Sequence, residues 1–108
     1  MARKEYLGYH DPSIYNEIAA LPRQTWLSVK YTDGRWLTFQ VNQTYKGEPG
    51  PALIRFHPDN PLATRQLRFK TGRTVKNAIL KEGHGATPVA FVIDPYKSEL
   101  EWNRPKED

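Results

Sequence analysis

A run of cations without a neighbouring acid is the most pronounced charge feature of the sequence. Residues 62–81 contain six Lys and Arg side chains and no Asp or Glu. The six cations are Arg65, Arg68, Lys70, Arg73, Lys76 and Lys81. Positive side chains gathered in this way bind phosphate groups, and the net charge of +4 favours the same class of partner. The run therefore indicates a polyanionic ligand, such as DNA or RNA.

Two predicted strands place part of this run on one face of a sheet. Residues 65–70 and residues 52–57 each alternate apolar and polar side chains, as strands with one buried face do. We expect the polar positions of the two strands to lie side by side on the face away from the core. The basic stripe predicted in this way contains Arg55, His57, Arg68 and Lys70.

The segment 70–74, Lys-Thr-Gly-Arg-Thr, leads into a predicted helix. Free amides at a helix N-terminus, a glycine and the flanking cations Lys70 and Arg73 together suit a phosphate group. The same residues are also ordinary for a loop followed by a helix cap, with Thr74 as the cap, and they lack the P-loop pattern. Both interpretations remain open.

The clearest structural signal is a β-hairpin over residues 25–41, in which two alternating stretches flank an Asp-Gly pair. A three-residue loop over 32–34 pairs Tyr31 with Arg35 and puts Gly34 in the left-handed conformation. A two-residue loop would divide the apolar residues between both faces, so we predict the three-residue loop. The buried face then contains Leu27, Val29, Tyr31, Leu37, Phe39 and Val41.

The other face of this hairpin contains two tryptophans outside the predicted core, Trp26 and Trp36, with Lys30 opposite Trp36. Unpaired bases stack on indole rings while adjacent cations bind phosphates, which predicts a platform for single-stranded nucleic acid. Alternatively, another element covers this face and Lys30 makes only a cation–π contact with Trp36. The sequence does not decide between the two.

The remaining patterns complete an α+β fold. A first helix is predicted over 12–21, a loop over 44–51 because it has two glycines and two prolines, and a strand covered on both faces over 89–93. The second helix is expected to end at Gly83 in a left-handed conformation. The predicted order is α-β-β-β-β-α-β, a mostly antiparallel sheet of about five strands with two short helices on one side.

A chain of 108 residues has room for one hydrophobic core, so we expect a single domain over 1–108 with flexible tails at 1–10 and 103–108. A last edge strand from Tyr96 through Trp102 is weakly indicated. No apolar run reaches the length of a membrane span or follows the pattern of a secretory signal. These features predict a cytoplasmic protein without a membrane partner.

The residues needed for common catalytic chemistry are absent or scattered. The chain has no cysteine, which excludes disulfides, thiolate metal sites and cysteine nucleophiles. Its three histidines, at positions 10, 57 and 84, have no ligand partner at helical spacing, so we expect neither a metal nor another cofactor. Neither a serine-hydrolase elbow nor a nuclease-like carboxylate cluster is present. We therefore expect a non-enzymatic protein.

Two functions from different classes follow from these features. The first is a small accessory or regulatory protein that binds DNA or RNA without a motif for sequence-specific recognition. The alternative is a protein-interaction module, an inhibitor or adaptor, that presents the aromatic hairpin face to a protein partner or to a second copy in a homodimer. The residues predicted to bind nucleic acid are Arg55, Arg65, Arg68, Lys70, Arg73, Lys76, Trp26, Lys30 and Trp36.

Overall fold

The computed structural model describes residues 3–8, 11–60 and 62–96. Its elements, in chain order, are β1 (Lys4–Leu7), α1 (Ser13–Ala19), β2 (Trp26–Tyr31), β3 (Trp36–Tyr45), β4 (Glu48–Phe56), β5 (Thr64–Arg68), α2 (Gly72–Glu82) and β6 (Pro88–Asp94). The strands form one antiparallel sheet in the order β1-β6-β2-β3-β4-β5. The predicted α+β fold, an antiparallel sheet with two helices, is confirmed.

Both helices pack on the same face of this sheet, which we call the helix face. Ile14 and Ile18 of α1 and Val75 and Ile79 of α2 are buried against the sheet in one hydrophobic core. α1 is shorter than the predicted range 12–21 at both ends. The opposite side of the sheet is called the second face.

No helix in the described part of the chain is long and apolar enough to cross a membrane.

The predicted hairpin and its three-residue loop are confirmed. The Tyr31 amide donates to the Arg35 carbonyl at 2.9 Å, and Lys30 lies opposite Trp36 in the strand register. Gly34 has a φ of 86° and closes the loop by donating its amide to the Tyr31 carbonyl at 2.9 Å. All six apolar residues assigned to the buried face are in the core: Leu27, Val29, Tyr31, Leu37, Phe39 and Val41.

The prediction of a loop over 44–51 is wrong, because β3 and β4 continue through most of it as a long hairpin. Lys46 and Gly47, with φ of 49° and 85°, form its turn. The carbonyl of Pro51 faces the end of β5, where it accepts from the Phe69 amide at 3.2 Å. An amide at position 51 would face the same side, so the proline leaves a gap only at the end of the β4–β5 ladder. The missing amide at this point removes at most one bond from the ladder. β4 therefore begins well before the predicted range 52–57.

β1 lies within residues 1–10, which were predicted to be a flexible tail. It forms an edge strand beside β6, and the Tyr6 hydroxyl donates to the Glu17 carboxylate of α1 at 2.6 Å. Lys4 contacts the same carboxylate at 2.8 Å, and these two hydrogen bonds lower the pKa of Glu17. Of the four β1 residues, Tyr6 alone is partly buried. The segment therefore lacks the alternation of apolar and polar residues from which a strand is predicted.

β6 lies between β1 and β2, and it is covered on both faces, as predicted for residues 89–93. Phe91 and Ile93 belong to the core on the helix face, whereas Ala90 and Val92 pack with Trp36 on the second face. The weakly indicated edge strand over 96–102 and the predicted tail over 103–108 fall, except for Tyr96, outside the described residues.

The end of α2 differs from the prediction in its backbone conformation. Gly83 has a helical φ of −73°, and the left-handed residues are the next two, with φ of 49° at His84 and 96° at Gly85. A Cβ atom on Gly83 would lie 2.4 Å from the Ala86 carbonyl oxygen and 2.8 Å from the Tyr31 ring. A glycine is therefore required at position 83 for space, not for a left-handed conformation.

Candidate polyanion-binding groove

A groove of about 770 Å³ runs along the free edge of β5. β5 is the last strand in the sheet order, so it pairs with β4 on one side and with no described strand on the other. Side chains of β5 form the floor, Thr74, Asn77 and Lys81 of α2 form one wall, and Tyr45 and Lys46 of the β3–β4 turn form the other. The groove thus follows a strand edge between two flanking walls.

The β3–β4 hairpin folds back over β5 to form one of these walls. Lys46 donates its backbone amide to the side chain of Gln66, which pairs with Ile54 in the register between β4 and β5. A straight strand would separate Glu48, at the start of β4, from Ile54 by about 20 Å. The contact between Lys46 and Gln66 therefore requires the hairpin to bend. Two irregularities lie in this part of the hairpin: a register shift between residues 42 and 44, and a positive φ of 148° at Gly50.

Arg68 is held beneath this folded hairpin. Its guanidinium carbon lies 4.8 Å from the centre of the Tyr45 ring, and a Cβ atom on Gly50 would lie only 3.3 Å from its terminal nitrogen. Lys46 Nζ lies 5.2 Å from the same ring, so two cations share one aromatic side chain. The nearest carboxylate oxygen, on Glu48, is 3.9 Å from Arg68 and belongs to an exposed side chain. Arg68 thus remains available to an anion.

The predicted stripe that joins Arg55 to Arg68 and Lys70 is wrong, because Arg55 faces the opposite side of the sheet from Arg68. The register pairs Arg55 with Arg65 and Ala52 with Arg68. Arg55 and Arg65 are on the helix face, where they lie 3.1 Å and 3.4 Å from the buried carboxylate of Glu82 in α2. The sequence did not reveal this, since the carboxylate comes from a helix distant in the chain.

The N-terminus of α2 is capped by its own threonines. Thr71, not Thr74, is the N-cap, and the Thr74 hydroxyl accepts from the amides of Lys70 and Thr71 at 2.8 Å and 2.9 Å. The Thr74 amide in turn donates to the Thr71 hydroxyl. Three amides of the 70–74 segment therefore have partners within the cap, and the cations Lys70 and Arg73 project from it as exposed side chains.

Lys76, one turn further along α2, is only half-exposed. Its Nζ lies 6.0 Å from the centre of the Tyr15 ring of α1. The charge therefore lies beside α1, and Lys76 is not among the residues that line the groove.

The predicted stacking platform loses one of its two tryptophans. Trp36 is only 6% exposed and packs with small apolar side chains of β6. Trp26 is half-buried, with its ring centre 5.3 Å from that of Phe56, and Lys30 is half-buried as well. Trp36 is buried because β6 lies directly beside β2, a neighbour that the hairpin sequence alone does not specify. An unpaired base cannot stack on it without displacing this packing.

The groove contains two cations and one aromatic side chain that were not among the predicted site residues: Lys46, Lys81 and Tyr45. Tyr45 and Lys46 lie in the segment that was predicted to be a loop. The signal in the sequence for a tight turn there is Gly47 directly after Lys46, and both residues have the left-handed conformation in the structure. Lys81 belonged to the cationic run, but only the position of α2 beside β5 brings it to the groove.

Comparisons with protein-family models, with curated protein sequences and with solved structures found no match. Among the described residues, no group of three or more His, Asp and Glu side chains is arranged to hold a metal ion. The function is therefore inferred from the groove itself.

Proposed function

We propose that this protein is a small, non-enzymatic nucleic-acid-binding protein that holds a sugar-phosphate backbone in the groove beside β5. The observation that supports this most is the charge of the groove. Of its described lining residues four are cations and none is an acid; the cations are Lys46, Arg65, Arg68 and Lys81. A surface of this kind attracts phosphates and repays their desolvation with charge-assisted hydrogen bonds.

Pairing within the protein does not cancel this charge. Glu82 supplies one negative charge to two cations, Arg55 and Arg65, so this cluster keeps a net positive charge on the helix-face side of the groove. Lys46 and Lys81 have no ion pair with any described residue, and the Arg68–Glu48 contact of 3.9 Å is exposed and therefore weak. Lys70 and Arg73 extend the basic surface towards the start of α2.

The shape of the groove favours one strand over a duplex. Its volume of about 770 Å³ is in the range of sites that enclose a single small ligand, so it would accept a few nucleotides. Tyr45 is the aromatic residue among the described residues that line the groove, and its ring already contacts two cations, Lys46 and Arg68. Because the ring is occupied in this way, we expect recognition to depend on the phosphate backbone and not on base stacking. Binding would then show little sequence preference.

The alternative function, a protein interface on the aromatic hairpin face, is less well supported. Its two anchors were to be Trp26 and Trp36, and Trp36 is buried within the protein. An aromatic anchor has to enter a pocket of the partner, which a buried indole cannot do.

Fluorescence anisotropy with labelled single- and double-stranded DNA and RNA, repeated across a salt series, tests the proposal. With three to four phosphate contacts, the logarithm of the binding constant should fall with the logarithm of the salt concentration with a slope of roughly −2 to −4. Lys81→Glu should weaken binding about 10-fold or more. Arg23→Glu changes the charge equally at an exposed residue that does not line the groove, and should change binding less than about 3-fold. Equal losses in both variants, or no binding at low salt, would contradict the proposal.

A further inference from the structure

The backbone of β5 presents to the groove hydrogen-bonding groups that have no partner among residues 3–8, 11–60 and 62–96. Beyond the two ends of β5, the His57 amide donates to the Ala63 carbonyl at 3.0 Å and the Phe69 amide donates to the Pro51 carbonyl at 3.2 Å. Odd-numbered residues of this segment therefore bond to β4. In an antiparallel strand the intervening residues direct both backbone groups to the other side. The N–H and C=O groups of Thr64, Gln66 and Arg68 consequently face the groove.

The two walls leave this edge open between them. The hairpin tip lies against the second-face side of β5 through the bond from Lys46 to Gln66, and α2 flanks the helix-face side with Asn77 and Lys81. A strand added to the edge would run about 4.8 Å from β5, with alternate side chains towards the hairpin and towards α2. Exposed edges are normally blocked by charge, proline or an inward bend, and here the blocking groups are cations.

We propose that the free edge of β5 binds an extended acidic segment of another protein, which adds a strand to the sheet and competes with nucleic acid for the groove. This goes beyond the proposed function, because it depends on the backbone of β5 as well as on the cations. Phosphodiesters accept hydrogen bonds but donate none, so a DNA backbone leaves the outward carbonyls of β5 without a donor, and an RNA backbone offers them only its 2′-hydroxyls. A peptide strand offers a donor and an acceptor at every second residue.

The side chains beside the edge specify what such a segment contains. On the hairpin side it would lie next to Arg68 and Lys46, which favours acidic residues there. On the α2 side it would meet Leu67 and Ala78, which favour apolar residues at the alternate positions. Arg65 and Lys81 lie on the same side and add positive charge, so the segment as a whole is expected to be acidic. The expected partner therefore alternates acidic and apolar side chains.

A second copy of the chain fits this edge poorly. Antiparallel pairing of β5 with β5 of another copy would add two further arginines to an edge that already contains Arg65 and Arg68. Like charges across a strand pair are destabilising, and no acidic residue of β5 offsets them. The charge of the edge thus favours a different, acidic protein.

The test uses a labelled peptide of about eight residues that alternates Glu and Val, long enough to span β5, and a counterpart with Gln in place of Glu. The Glu peptide should bind about 10-fold or more tightly than the Gln peptide. Two variants at Gln66 separate the backbone from the side chain, because Gln66→Ala and Gln66→Pro both lose the side-chain contact with Lys46 but only proline removes the outward amide. Gln66→Pro should weaken peptide binding about 10-fold relative to Gln66→Ala.

Amide hydrogen exchange on the unmodified protein gives a readout that does not depend on how well the proline variant folds. The amides of Gln66 and Arg68 should exchange fast in the free protein and become protected by the Glu peptide, whereas the Leu67 amide, bonded to β4, should be protected throughout. An unlabelled Glu peptide should also displace a bound oligonucleotide.

This proposal would be overturned if Gln66→Ala and Gln66→Pro bound the peptide with equal affinity. It would also be overturned if the peptide did not change the hydrogen-exchange rates of the Gln66 and Arg68 amides. Such a result would leave the nucleic-acid proposal intact, because oligonucleotide binding and its salt dependence are measured separately in the same variants. Loss of oligonucleotide binding in the Lys81→Glu variant alone would support the nucleic-acid site without supporting the strand-addition site.

Discussion

The carboxylate of Glu82 lies 3.1 Å from a guanidinium nitrogen of Arg55, and the Glu82 side chain has no exposed surface. Arg65 approaches the other carboxylate oxygen at 3.4 Å, without the geometry of a hydrogen bond. One buried acid at the end of α2 thus joins the helix to both β4 and β5. This link fixes the position of the α2 wall relative to the floor of the groove.

Removing the charge of Glu82 should destabilise the fold strongly. In Glu82→Gln, two cations lose their shared counter-charge, and breaking a buried ion pair by neutralising one partner costs about 3 kcal/mol. Urea denaturation measures this as a fall in the unfolding midpoint. Glu48→Gln is the matched control, since its exposed carboxylate is 3.9 Å from Arg68, and it should change the free energy of unfolding by less than about 0.5 kcal/mol. Similar losses in both variants would contradict the role assigned to Glu82.

The buried hydroxyl of Tyr31 should make the protein sensitive to alkaline pH. It donates to the Ile79 carbonyl at 2.8 Å, and burial, followed by the nearby charge of Glu82, raises the pKa of this hydroxyl above its usual value near 10. Above pH 10 the unfolded chain loses this proton before the folded protein does, so the free energy of unfolding should fall as pH rises. The fall approaches about 1.4 kcal/mol per pH unit for one group.

Tyr31→Phe isolates this contribution. The variant should lose about 1 kcal/mol at neutral pH, because the Ile79 carbonyl loses its partner, and it should show a shallower decline above pH 10. Burial also raises the pKa of Tyr15, so a part of the decline should remain and should be removed by Tyr15→Phe. Chemical denaturation at a series of pH values checks this, and an unchanged slope in Tyr31→Phe would refute it.

Gly72 should be intolerant of any side chain because α1 passes directly over it. A Cβ atom at this position would lie 2.0 Å from the side-chain oxygen of Asn16 and 2.8 Å from the Asn16 backbone nitrogen. Alanine is the better helix former by about 1 kcal/mol, but here overpacking should dominate and Gly72→Ala should cost about 1 to 3 kcal/mol. Thermal unfolding measures the change. An alanine that raised the melting temperature would show that the two helices are not in this contact.

Trp36 should matter for stability and not for nucleic-acid binding. Trp36→Phe removes part of a side chain that is 6% exposed, so it should lower the unfolding midpoint while leaving the dissociation constant for single-stranded DNA within about 2-fold. Denaturation and anisotropy on the same samples check both expectations. A loss of oligonucleotide affinity with stability unchanged would restore the stacking interpretation of the hairpin.

The hairpin could be predicted to its loop length because its signal is local. The alternation around Asp33-Gly34 fixes which residues share a face, and a shift of one residue would move all of them. The neighbours of the hairpin could not be predicted in the same way. That β6 lies beside β2 and buries Trp36 depends on pairing between residues distant in the chain.

The same limit explains the errors at the site. Alternation within 52–57 was interpreted with Ile54 and Phe56 towards the core, whereas the helix-face residue is Arg55, held there by Glu82 of α2. An arginine in that position is recognisable only once its partner is known. The cationic run itself was visible, yet its grouping into a groove depends on a hairpin that bends back over β5.

Mapping of backbone amide resonances during titration with single-stranded DNA of about twelve nucleotides tests the central claim most directly. The groove account predicts the largest shifts at Lys46, across Thr64–Arg68 and at Lys81, decreasing as salt is added. Shifts confined to the second face around Trp26 and Lys30, or none at low salt, would contradict the assignment of the groove as the nucleic-acid site.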